Sequence, residues 1–288
     1  MNKIAIYIPN FNGADFLKHV YIPDKCDCIV MDNNSTDDSV NISKSRGFIC
    51  IENNVMVSRT DNWLRCIDHF RKQQYDWMKW LFVGDELCEE SYQIMSKAVS
   101  SANNSTIIVF DYYINTGSKK TLKSWSDHFK NGIVSAKDAK LSCIEKGPFS
   151  SPICIMLSKK CNFEKIDITD LSWAADVKML DQLIGCNNLY YCDQSIGVFN
   201  SQLRKTYSSS KRKISSYAES IYVLYSIYRD FKKTYPNVNV NGRWFQMYMI
   251  MCLTDNINTF RDFGLTVKAL FRGLVKFIFK KNGRDLKL

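Results

Sequence analysis

The sequence predicts an α/β fold, in which a mainly parallel sheet carries helices on both faces and a helical extension follows. Three observations lead there. Short apolar, β-rich runs alternate with helical patterns over the first two-thirds of the chain. The residues that follow those runs are polar and unusual. Beyond Ser208 the pattern becomes wholly helical.

The strand-like runs are Ile4–Ile8, Cys28–Met31, Phe48–Ile51, Trp80–Val83 and Thr106–Ile114. Between them Ala14–Val20, Asp37–Ser45, Thr60–Gln74 and Glu89–Ser101 read as helices. Alternation of this kind builds a parallel sheet, because each strand needs a crossover to return beside its neighbour. The stretch from Gly117 to Lys146 is weakly patterned and reads as loops with a short helix. Ser172–Ile184 reads as a helix with Trp173, Val177, Leu180 and Ile184 on one face. Three further helices are expected over Ser215–Lys233, Trp244–Ile257 and Thr259–Lys281. The run Ser208-Ser209-Ser210-Lys211-Arg212-Lys213 marks the boundary between a domain of residues 1–207 and a helical region of residues 208–288.

The 288 residues are 45% hydrophobic, enough for one substantial core. Charge is unevenly placed. Residues 1–202 hold 22 basic and 24 acidic groups, whereas residues 203–288 hold 17 basic and 5 acidic ones. A basic tail on a near-neutral body calls for a polyanionic partner, either nucleic acid or an anionic membrane. The eleven cysteines are odd in number and lack paired CxxC spacing, so they read as buried free thiols in a reducing compartment rather than zinc ligands or disulfides. The first apolar run is broken at Pro9, and no run approaches the ~18 apolar residues of a membrane span. A cytoplasmic protein is expected.

Ligands of open α/β sheets bind beyond the carboxyl ends of the strands. There the sequence places Pro9-Asn10-Phe11-Asn12-Gly13, then Asp32-Asn33-Asn34-Ser35-Thr36-Asp37-Asp38-Ser39, then Gly84-Asp85-Glu86. Carboxylates, amides and a glycine thus converge on one edge. A carboxylate at Asp32 suits the ring N–H of a pyrimidine, and the Ser-Thr-Asp run also supplies groups that cap the next helix.

These segments resemble those of family 2 glycosyltransferases. Ile8 to Gly13 is similar to that family's P-x-Y-N opening, and Asp32 to Ser39 to its D-D-G-S-T-D-x-S segment. Asn54 to Asn62, with Arg59, resembles a degraded N-x-G-x-x-x-A-R-N helix start. Leu81 to Leu87 falls where the family keeps an Asp-x-Asp metal motif, with Val83 in place of the first Asp. The separations of roughly 23 and 53 residues also fit, and the resemblance covers about residues 3–200. It implies a GT-A fold, a nucleotide-sugar donor, and Mg²⁺ or Mn²⁺ held by Asp85 and Glu86. Donor contacts are implied for Pro9, Asn10, Asn12, Asp32 and Asn34 on the first two segments. Arg59, Gly84, Asp85 and Arg204 are implied beyond them, with Lys205 beside Arg204. The family's catalytic base is the Asp of a Glu-Asp pair opening a late helix. Asp176 matches it, Ala175 stands where the Glu would be, and Asp181 is a weaker candidate. Inverting transfer onto a polyprenyl-diphosphate-linked saccharide, as in bacterial O-antigen or other surface polysaccharide assembly, follows from the resemblance.

The last predicted helix adds an independent clue. At 100° per residue, Phe263, Val267, Leu270, Phe271, Leu274, Val275 and Ile278 share one arc. Lys268, Arg272, Lys276 and Lys280 recur along the other side. A helix over 259–281 of this kind suits the headgroup plane of an anionic bilayer, at the inner face of the cell membrane. A dinucleotide-dependent oxidoreductase is excluded by the lack of a GxGxxG turn. Nucleic-acid binding is disfavoured because residues 1–202 show no basic patch. With Val83 and Ala175 in place of carboxylates, a degenerate glycosyltransferase fold that binds without catalysis is the alternative.

Overall fold

A computed structural model describes residues 2–147, 151–169, 171, 174–185, 187–204 and 214–241, with the side chains of 204 and 214–218 excluded. The boundary at 208–213, Lys205, the side chain of Arg204 and the helices expected over 244–257 and 259–281 lie outside the described residues.

The first half is a run of strand–helix units: β1 (Ile4–Asn10), α1 (Ala14–His19), β2 (Asp27–Asp32), α2 (Ser39–Ser45), β3 (Ile49–Glu52), α3 (Arg59–Lys72) and β4 (Trp77–Trp80). β1, β2, β3 and β4 pair in parallel, with β1 between β2 and β4. Ile4 to Ile8 are all buried, as expected of a parallel strand covered on both faces. Ser58 starts α3 by accepting the Asp61 amide on its Oγ (3.0 Å). Arg46, just past α2, donates to the Leu17 and Val20 carbonyls at 2.7 and 2.9 Å, satisfying the open end of α1.

β4 ends three residues earlier than the apolar pattern suggested. Pairing of Ile4 to Tyr7 with Trp77 to Trp80 fixes its register. The chain then leaves the sheet, and Asp85 N–H closes a turn on the Phe82 carbonyl (2.8 Å). This early exit puts Val83, Gly84 and Asp85 in a loop at the sheet's carboxyl edge.

The second half comprises β5 (Glu86–Leu87), α4 (Ser91–Ser101), β6 (Ile107–Asn115), β7 (Lys120–Lys123), β8 (Gly132–Val134), α5 (Ala136–Lys146), β9 (Ile155–Ser158), α6 (Ala175–Ile184), β10 (Leu189–Asn200) and α7 (Ile214–Thr234). One sheet runs β3-β2-β1-β4-β9-β6-β10-β5, with β7 on β6 and β8 on β10. Its second half mixes directions: β6 and β10 are parallel, and β9 is antiparallel to both its neighbours. The weakly patterned middle contains two strands the sequence did not signal, because β7 is short and exposed and β8 has only three residues. β9 and β10 went unread as well. β10 changes register twice, after Cys192 and after Ser195.

Buried residues of the sheet, α3, α4 and α6 form one core, which includes Trp80, Tyr7, Phe70 and Phe110. A smaller cluster of Val223, Ile227 and Phe231 on α7 packs with Ile144 and Ala174. The described part of the helical region is thus seated on α5 and α6. Among the described residues all nine cysteines are free, and six of them are buried. No helix among these residues is long and apolar enough to cross a membrane.

His128 is half-buried, paired through Nδ1 with Ser142 Oγ, and stacked edge-on against Trp125. Burial pushes its imidazole down to about 4, and the Lys146 and Lys123 charges act in the same direction. Between pH 6.5 and about 4 the unfolded chain therefore binds a proton that the folded chain refuses, so stability falls as pH falls through that window. The melting temperature should drop more between pH 7 and pH 5 in the wild type than in His128→Gln. Equal drops would show that His128 does not carry this dependence.

Candidate active site

At the carboxyl edge of the sheet two backbone hydrogen bonds, from the Asn33 amide to the Asn10 carbonyl (2.9 Å) and from the Asn53 amide to the Asp32 carbonyl (3.0 Å), are supplemented by a network of side chains. Asn10 and Asp32 end β1 and β2 directly opposite each other. Asn10 Nδ2 donates to Asp32 Oδ1 at 2.8 Å and to Ser35 Oγ at 3.2 Å. Ser35 donates to Asp32 Oδ1 through Oγ (2.6 Å) and to Oδ2 through its amide (2.9 Å). The Asn12 amide donates to Ser35 Oγ at 2.9 Å, and the Thr36 amide donates to Asn12 Oδ1 at 2.8 Å. Asp37 accepts from the Ala14 amide and from Ser39 Oγ; despite partial burial these hydrogen bonds hold its carboxyl below the usual range. Asn12 and Asn34 lie in the left-handed region, at φ 51° and 62°, which asparagine tolerates better than most residues.

This changes the expectation for Asp32. The residue is only 1% exposed, and both carboxylate oxygens accept hydrogen bonds from the loops. It fastens the two loops to each other, and the residue that stands exposed beside it is Asn34. Asn33 does the same work on the other side. Its amide exchanges two hydrogen bonds with the Val57 backbone and accepts one from Asn53 Nδ2. Asn62, in the first turn of α3, donates to the Met31 carbonyl at 3.0 Å. The asparagine-rich pattern was visible in the sequence, but the Asn33–Asn53–Asn62 network was not.

Gly13 allows the first loop to close. A Cβ there would overlap Asn10 Oδ1 and touch Val83 Cγ2 (3.1 Å). The β1 loop therefore packs directly on the loop after β4. Val83 contributes contact in the place where the resemblance implied a carboxylate. Arg59, exposed at the start of α3, stacks on Trp63 at 5.1 Å, and Trp63 in turn meets Phe82 at 4.8 Å. A stack of Arg59, Trp63 and Phe82 thus runs from the start of α3 toward that loop.

Gly84 has φ 94°, a conformation that favours glycine. Asn200, at the end of β10, donates from Nδ2 to the Gly84 carbonyl (2.9 Å) and to Glu86 Oε1 (2.8 Å). Leu203 lies against Gly84, so the turn of Ser201–Arg204 borders the site. Asp85 is fully buried beneath. Glu86, expected as a metal ligand, has one oxygen committed to Asn200.

Two residues that sequence reasoning missed lie within electrostatic reach of Asp85. Lys79, fully buried on β4, donates to the carbonyls of Trp80 (2.9 Å) and Ile153 (2.5 Å), with those of Pro152 and Ile155 at 3.4 Å. Burial pushes its ammonium down to about 7, opposed by Cys154 and by the Asp85 charge. A lone lysine inside Trp77-Met78-Lys79-Trp80-Leu81-Phe82 was the available signal. Tyr112, on β6, is raised well above its ordinary value by burial and then by the charges of Cys154, Asp85 and Asp176. One hydroxyl thus lies within electrostatic reach of both carboxylates. Asp176 is half-exposed in the first turn of α6, whereas Asp181 pairs with Lys140 at 3.2 Å as a structural ion pair.

The protein's own donors toward a divalent cation are oxygens, which suits Mg²⁺ or Mn²⁺. No group of three or more His, Cys, Asp or Glu side chains converges among the described residues. Asp85 is an oxygen donor of the right chemistry but is closed from solvent here, so a hard cation that completes its shell from donor phosphates and water would need the loop after β4 to open. A cavity of about 430 Å³ opens elsewhere, between α4, β6 and β10, lined by Glu90, Tyr113, Lys120 and Gln194.

No family model matches the sequence, and no curated protein resembles it at the sequence level. Solved structures do resemble the fold. TarS of S. aureus, as its 1–349 fragment in complex with UDP-GlcNAc, superposes with a TM-score of 0.59 at 12% identity, over 96% of this chain and 80% of that one. The same fragment without that ligand gives 0.57 at 10% identity, over 96% and 82%. Full TarS gives 0.56 at 11% identity, over 94% and 54%. The fold is the GT-A-like fold of glycosyltransferases.

Gly13→Ala should displace Asn10 from Asp32 and lower stability by about 1–3 kcal/mol, the range for leaving a buried polar group unpaired. Denaturant unfolding measures it, and an unchanged midpoint would mean that the loops are not coupled as described.

Proposed function

We propose that this protein transfers a sugar from a nucleotide-sugar donor to an acceptor hydroxyl, with Asp176 as general base and Asp85 beside the donor's diphosphate. The observation that carries the reading is electrostatic: the charges of Asp85 and Asp176, remote in the chain, both act on the buried Tyr112 hydroxyl, while Val83, just before Asp85, packs on the fastened β1 loop. The GT-A-like fold supports it.

In this reading the acceptor hydroxyl gives its proton to Asp176 while its oxygen bonds to the anomeric carbon. The bond from that carbon to the diphosphate breaks, and the nucleoside diphosphate departs with the electron pair. Attack on the face opposite the leaving group inverts the anomeric centre. A divalent cation held by Asp85, when bound, neutralises charge on the departing diphosphate. Arg59 and Arg204 are the cations assigned to the donor from the chain itself. Pro9, Asn10, Asn12, Asn34 and Gly84 shape the nucleotide's seat, and Asp32 holds that seat rigid. The acceptor we assign is a lipid-linked saccharide of surface polysaccharide assembly, reached from the cytoplasmic face of the membrane through residues 259–281. The sequence of that segment and the resemblance carry this finer part.

Asp176→Asn should lower kcat by about 10²–10⁴-fold, as loss of a general base does. Donor affinity, read by isothermal titration with UDP-sugars, should stay within about twofold. Full turnover in that variant removes Asp176 from the chemistry. Asp85→Ala should weaken nucleotide binding about tenfold with Mn²⁺ present and much less in its absence. An identical Mn²⁺ effect in both proteins would sink the assignment. A wild type that binds donors yet neither transfers nor hydrolyses them would favour the binding-only alternative.

A further inference from the structure

Helix α6 begins without a capping side chain of its own. Ala174 is its N-cap residue and Ala175 its first turn, and neither side chain can accept a hydrogen bond from the open amides. The acceptor for the Ala174 amide comes from elsewhere in the chain. Glu219, on α7, takes the Ala174 amide on Oε1 at 2.9 Å. Both residues are buried, Glu219 at 4% and Ala174 at 5% exposure. A buried carboxylate is costly unless compensated, and a helix N-terminus compensates it through an N–H donor and the positive end of the dipole.

The contact is not isolated. Val223, Ile227 and Phe231 of α7 pack with Ala174 and Ile144, and Lys178 Nζ lies 3.3 Å from Ser226 Oγ. The start of α6 is thus held by α7 through its first amide and again near its next turn. Asp176 is two residues beyond that first amide, and its Oδ1 accepts the Val177 amide (2.9 Å).

We propose that Glu219 is the positioning residue for Asp176, and that α7 belongs to the catalytic unit. The carboxylate that the sequence lacks at Ala175 is supplied from α7, to the backbone that carries the base. The inference rests on the reading of Asp176 as base, and its test separates the two.

Glu219→Ala should lose at least about tenfold in kcat while donor affinity stays within about twofold. Amide hydrogen exchange should rise in peptides covering 174–177. Glu219→Gln retains an acceptor at the same reach and should restore kcat to within about threefold of wild type, whereas Glu219→Asp falls one methylene short and should not. Wild-type kcat in Glu219→Ala or Glu219→Asp would overturn the proposal, as would equal losses of kcat and donor affinity. If circular dichroism shows that Glu219→Ala does not fold, the Gln and Asp variants decide alone. If Asp176→Asn keeps full activity, the base assignment fails, while exchange at 174–177 still reports whether Glu219 caps α6.

Discussion

A parallel sheet leaves its strand ends with backbone and side-chain polar groups that no ladder satisfies, and here a buried carboxylate meets that need. Asp32 is held among Asn10 and Ser35, both donating to it, and the loops after β1 and β2 cannot move independently while that arrangement stands. A buried charge of this kind is tolerated only when donors surround it, so the loops and the carboxylate specify each other. Everything else at the edge is built against this fixed pair. Gly13 brings Val83 in, Asn33 anchors the stretch after β3, and Arg59 at the start of α3 stacks on Trp63.

The second half of the edge is organised by a buried cation. Lys79 gathers carbonyls from β4 and from the turn before β9, two segments remote in the chain, close to Asp85 and Cys154. An ammonium with three donors is well suited to such a cage, since carbonyl oxygens ask for no counter-charge. Asp85, buried in the floor of this edge, lies within electrostatic reach of a lysine whose ammonium burial has pushed down to about 7. Tyr112 ties this floor electrostatically to α6.

Much of this was legible in the sequence, for physical reasons. Ile4–Ile8 announced a strand because a parallel strand buried on both faces must be apolar throughout, and Thr106–Ile114 did so through its β-branched and aromatic residues. The polar residues just after the Ile4–Ile8, Cys28–Met31 and Trp80–Val83 runs marked the ligand edge because nothing in a core would retain them. What stayed hidden depended on tertiary pairing. β7 is short and exposed and β8 has only three residues, so only pairing with β6 and β10 makes them strands. The end of β4 is set by its register with β1, not by its own composition. Asp32 was readable as a strand-end carboxylate but not as one turned inward. Glu219 carries no signal at all, since a glutamate on a helix is ordinary until its partner amide is known.

The thiols have a practical consequence. Burial raises Cys26, Cys154 and Cys161 to about 12, and Cys50 to about 11, so little thiolate exists near neutrality. Alkylating reagents will then distinguish these side chains by access more than by intrinsic reactivity. The half-buried Cys50, Cys88 and Cys143 become local reporters on the edge strand, the cavity wall and α5, while the six buried cysteines among the described residues report only on global opening. The molecule carries its own set of graded chemical probes, placed before any label is engineered.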